Sequence, residues 1–154
     1  MKIYLGIGQF QAPEGFSTVA VSALSELSTE SVEEIQAPTI LEKVPDLVEF
    51  MNHVYRVLTP GGKAVFQCGY YGSASSFVSP LVKRSISEYS MNWCSKEWRE
   101  QNKYTEVTTD IDFAVAAGMA TDAALNLRSE EVQALWRSTR LNCVQQIHFT
   151  LTKK

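Results

Sequence analysis

The chain's 154 residues suffice for one sizeable core and are too few for two ordinary domains. Hydrophobic residues at 45% and charged residues at 20%, with no long charge run, exclude a disordered chain, and a net charge of −3 removes the broad basic surface that non-specific nucleic-acid binding needs. No apolar run approaches the roughly 20 residues of a membrane span. Met1 to Leu5 lacks the apolar centre of a secretory signal, so we expect one cytoplasmic domain over residues 1–154.

Lys2 to Gly8 reads as an apolar strand that breaks at Gly6 and Gly8, where a chain turns sharply or lets a ligand approach its backbone. Ser17 to Val21 is a second short strand. The Ser- and Glu-rich stretch from Ser22 reads mostly as loop, and Val32 to Ala37 as a strand ended by Pro38. Pro45 and Asp46 open a helix with Leu47, Phe50, Met51, Val54, Val57 and Leu58 at three- and four-residue spacing, an apolar stripe that needs a sheet to cover it. His53 lies outside that stripe and reads as a solvated helix residue. Thr59-Pro-Gly-Gly62 is a type II turn into a strand from Lys63 to Tyr70, the return half of a β-α-β crossover in a parallel sheet.

Further on, Gly72 to Ser76 is a loop, Pro80 to Met91 reads as a helix, and Ser95 caps a short turn through Trp98 and Arg99. Asp112 to Ala117 is a strand. Ser129 opens a helix that places Val132, Leu135, Trp136 and Leu141 toward the core, and Ile147, Phe149 and Leu151 alternate with polar residues in a final strand with one face buried. Cys68, Cys94 and Cys143 have no paired spacing, so buried free thiols are expected and no metal site is. The basic pairs Lys83-Arg84 and Lys153-Lys154 read as solvated surface charge.

This order of elements, with Val57-Leu-Thr-Pro-Gly-Gly-Lys63 and Leu41-Glu-Lys-Val-Pro-Asp46, resembles the class I S-adenosylmethionine-dependent methyltransferases, type 11 in particular. Lys2 to Gly8, Trp98-Arg-Glu100 and His148 to Lys153 also look like family segments. The resemblance implies a Rossmann-like α/β sandwich with a mostly parallel sheet and an antiparallel C-terminal edge. It implies S-adenosylmethionine as cofactor at Gly6 and Gly8, with Glu14 and Glu42 as compensating groups and Tyr4, Tyr70 and Tyr71 as pocket lining. No catalytic residue is assigned.

Against that family pattern, Tyr4 stands where an acidic residue normally precedes the first glycine, and Ala20 falls where a carboxylate normally holds the ribose. Between Ser22 and Ser31 there is scarcely room for the family's third strand, so its deletion is expected, leaving the second strand as an edge to be shielded or used in self-association. We therefore expect a reduced methyltransferase-fold protein with weak or absent S-adenosylmethionine binding and a noncatalytic binding or regulatory role, acting on a protein partner or small molecule. The alternatives are an active methyltransferase on an unknown substrate and a structural component of a larger assembly.

Overall fold

A computed structural model describes residues 1–6 and 11–154. Strand β1 is Lys2–Tyr4 and β2 is Ser17–Thr18; a 3-10 turn over Val21–Glu26 leads to β3, Val32–Pro38. Helix α1, Leu47–Val57, runs directly into β4, Leu58–Gly69, and after short 3-10 turns come α2, Lys96–Gln101, and β5, Phe113–Thr121. Two helices follow, α3 over Ala123–Asn126 and α4 over Glu130–Thr139, before the last strand, β6, Val144–Lys153. The sheet order is β2-β1-β3-β4-β6-β5. Pairing is parallel from β2 to β4 and antiparallel through β6 and β5, the expected architecture, with no strand outside β2 among the described residues.

Helix α1 begins where Asp46 accepts the Glu49 N–H at 2.8 Å, and its apolar stripe places Phe50, Met51, Val54 and Val57 in the core. Phe50 meets Phe66 of β4 edge-on, with ring centroids 6.1 Å apart. The chain turns back at Gly61, whose φ of +76° is the left-handed conformation a type II turn requires. Gly62 has no room for a side chain: a β-carbon there would lie 2.8 Å from the Thr59 carbonyl oxygen and 3.1 Å from that of Glu33. Opposite this turn the register passes from Val32 beside Leu58 to Glu34 beside Lys63, so residues 59–62 bulge outward against Glu33 alone.

The sheet has one covered face. The register row Ile3, Ile35, Ala64, Leu151 and Val115 is buried through its first four members. The next row, on the opposite face, is Tyr4, Gln36, Val65, Thr150 and Ala116; beyond the buried Tyr4 it is half-buried and then exposed. Alternation at a period of two, expected for the last strand alone, thus extends across the whole sheet.

Several expectations are corrected. Residues 80–91 form turns and extended chain, not a helix, because Arg84 and Ile86 are held by contacts distant in sequence: Arg84 donates to the Leu41 and Pro45 carbonyls at 2.6 and 3.0 Å, and Ile86 is buried. Helix α4 does not turn Leu135 and Leu141 to the core; they are 58% and 78% exposed. Lys153 is not surface charge: its ammonium lies buried, donating to the Leu58 carbonyl at 2.8 Å and to Glu30 at 3.3 Å, 4.7 Å above the Tyr55 ring. Strand β2 is exposed and only two residues long, so the edge expected to be shielded is blunted by its shortness. Among the described residues no helix is long and apolar enough to cross a membrane.

Arg56 fills the place of the absent third strand in an unexpected way. Its guanidinium donates to the carbonyls of Leu24, Ser25 and Leu27 at 2.9, 3.1 and 2.6 Å, fastening the segment after β2 to helix α1. Those carbonyls have no ladder to join, and a forked cation meets them together. Arg56→Met should therefore lower stability in urea denaturation by about 1–3 kcal/mol and open residues 24–29 to proteolysis, with Arg56→Lys recovering only part of the loss.

Candidate functional site

The strands β1, β3 and β4 end together at the carboxyl edge of the parallel half, where open α/β sheets bind ligands. On the open face near this edge, Tyr4, Gln36, Pro38, Val65, Gln67 and Gln146 help to line a groove of about 330 Å3. Among the described residues no charged side chain lines it. Gln67 Nε2 donates to Gln146 Oε1 at 2.6 Å and Gln36 Nε2 to Glu34 Oε1 at 3.3 Å. Among the described residues this leaves Gln36 Oε1, Gln67 Oε1 and Gln146 Nε2 without protein partners, two acceptors and one donor of neutral amide type.

Tyr4 shapes the end of β1. Its carbonyl accepts the Val19 N–H at 2.9 Å, and its ring folds along the strand onto Gly6, so that a β-carbon on Gly6 would run into Tyr4 Cε1. The aromatic side chain, only 4% exposed, thereby occupies the space a side chain at position 6 would take, while Gly6 itself stays partly exposed. Gly8 lies outside the described residues. Ala20 follows the end of β2 and is exposed, while Glu14 is exposed on the Pro13–Phe16 turn.

Glu42 sits elsewhere. It is 7% exposed and its Oε2 has no hydrogen-bond partner among the described residues. With Gly69, Ser76, Arg84 and Ser85 it lines an enclosed cavity of about 20 Å3, room for a single water molecule. Tyr70 is buried and donates its hydroxyl to Glu88 Oε2 at 2.8 Å; burial first, and then this bond, push its phenol above the ordinary tyrosine value. Tyr71 stacks at 4.6 Å on Tyr70 and lines a separate shallow depression with Ser85, Ser87, Glu88 and Tyr89. The structure therefore distributes Tyr4, Glu42 and Tyr71 over three separate pockets.

The glutamines of the groove were not singled out from the sequence. Their signal was nevertheless present for Gln36 and Gln67, which alternate with buried positions in strands that a fully covered parallel sheet would make apolar throughout. Among the described residues no group of three or more His, Cys, Asp or Glu side chains could hold a metal ion.

No protein-family model matches the chain, and no curated protein matches it significantly. Solved structures do match. A methyltransferase dependent on S-adenosylmethionine from Archaeoglobus fulgidus superposes with a TM-score of 0.58 at 15% identity, covering 90% of this chain and 68% of that one. One from Mesorhizobium loti superposes with a TM-score of 0.51 at 14% identity, covering 92% and 72%. The chain has a class I methyltransferase fold. Identity this low carries the fold alone; among the described residues β2 is the last strand on its side of the sheet.

The three cysteines are buried and free. Burial raises the Cys68 thiol pKa well above its ordinary value, with the Glu42 carboxylate adding to it, and burial does the same for Cys94 against the opposing charge of Arg99. Native protein should therefore leave Cys68 and Cys94 unreacted toward a disulfide reagent at mildly alkaline pH, with both titrating once denaturant is added.

Proposed function

We propose that this chain is a noncatalytic methyltransferase-fold protein that binds a neutral, hydrogen-bonding ligand or peptide segment in the amide-lined groove, with weak or no affinity for S-adenosylmethionine. The observation that carries this reading is the Tyr4 ring lying on Gly6. A cofactor approaching the end of β1 would have to displace a buried aromatic side chain and would find no carboxylate at Tyr4 or Ala20.

The magnitudes favour loss of binding. A hydrogen bond to a charged group contributes about 1.5–3 kcal/mol, so two missing carboxylate contacts weaken a cofactor by several powers of ten. Glu14 and Glu42 offer little compensation, one exposed on a turn and the other enclosed in a cavity the size of a water molecule. The groove itself, about 330 Å3 and free of charge, suits a small polar group better than a zwitterionic sulfonium.

Calorimetry with S-adenosylmethionine and S-adenosylhomocysteine tests the reading. The wild-type chain should give no heat at millimolar ligand. Tyr4→Asp, which removes the ring and supplies a carboxylate, should bind more tightly than wild type by about tenfold or more. Micromolar binding by wild type would overturn the proposal and restore the reading of an active methyltransferase.

A further inference from the structure

Helix α4 is an amphipathic helix whose outer face has no partner among the described residues. None of its ten residues is buried. Glu131, Ala134, Leu135 and Ser138, at spacings of three and four, are all exposed and form one stripe, and Leu127 and Leu141, 87% and 78% exposed, extend the apolar surface past its two ends. Trp136 points to the other side, where Arg128 and Arg140 lie 5.6 and 4.1 Å from its ring centroid. Both arginines flank the helix in sequence, so this contact braces the two ends of α4 on the Trp136 side, and the Leu135 stripe lies on the other, exposed side.

The charges on this helix are arranged in a way that selects the occupant of that stripe. Glu130 and Glu131 stand at its amino end and Arg137 at its carboxyl end, and none of the three forms an ion pair among the described residues. Glu130 and Arg137 are seven positions apart, two helical turns, and so flank the stripe on the same side. We infer that α4 is a self-docking surface, on which a second copy of this chain packs its own α4 antiparallel about a two-fold axis between Ala134 and Leu135. In that arrangement Leu135 lies against the second copy's Ala134, and Glu130 lies beside the second copy's Arg137. Two-fold symmetry repeats each contact, so every favourable pair occurs twice.

A partner helix carrying one sign of charge would be attracted at one end of α4 and repelled at the other. The reversed copy matches both ends. This inference is independent of whether the groove binds S-adenosylmethionine.

Sedimentation equilibrium of the full chain at low salt is the test. Wild type should dimerise, and Leu135→Asp, a change at an exposed position that leaves the fold intact, should be monomeric. Glu130→Arg and Arg137→Glu should each weaken the dimer about tenfold, because every substitution creates two like-charge contacts, and the double swap should restore it. A monomer at all concentrations would overturn the inference. So would a dimer indifferent to Leu135→Asp, which would place the contact on another surface such as the edge of β2 or β5. Failure of the folded double variant to recover would overturn it as well.

Discussion

The constraint on which the rest of this structure depends is the pairing of backbone carbonyls in segments that no longer belong to helices or strands. A buried carbonyl without a partner costs about 1–3 kcal/mol, and the shortened fold has several such segments. Cationic side chains meet them. Arg56 holds the Leu24, Ser25 and Leu27 carbonyls, and Arg84 holds those of Leu41 and Pro45. Arg99 holds the Trp93 and Ile111 carbonyls at 2.6 and 2.9 Å, and Lys153 holds that of Leu58. The three arginines hold irregular chain around the sheet, and Lys153 holds the point where α1 passes into β4.

The second consequence of that economy of elements is a sheet with one protected face. Helix α1 and the chain between β4 and β5 supply the buried side, with Phe50 on Phe66 and Tyr55 on Phe113. The opposite side carries Gln36, Gln67, Gln146, His148 and Thr150, side chains compatible with water. A groove forms there because the face is open, and it is neutral because the strands contribute amides and hydroxyls at those positions. The functional reading and the architecture therefore have a common origin in the open face of the sheet.

The sequence made the central scaffold legible where local chemistry and tertiary packing agree. The stripe from Leu47 to Leu58, the Pro60-Gly61-Gly62 turn and the alternation of Ile147, Phe149 and Leu151 each demand the environment they receive. Residues 80–91 were misread because their spacing resembles a helix, while Arg84 and Ile86 are held by contacts distant in sequence. Leu135 was misread for the opposite reason: amphipathic spacing shows that a helix has an apolar face and does not say what covers it. In the site, the substitution at Tyr4 was visible, but the fold of its ring onto Gly6 was not, since that depends on a rotamer. Glu42 stood only as a compensating group in the family resemblance, whereas its cavity is closed by Ser76 and Arg84 from a later loop.

The central claim is that Tyr4 closes the cofactor edge of a retained methyltransferase fold, and a residue-resolved NMR titration of the full chain with S-adenosylhomocysteine tests it most directly. The account predicts that the amide resonances of Leu5, Gly6 and Val19 stay unmoved at millimolar ligand, with the Tyr4 ring resonances unchanged. Saturable shifts at Gly6 with a micromolar Kd, accompanied by movement of the Tyr4 ring, would contradict it.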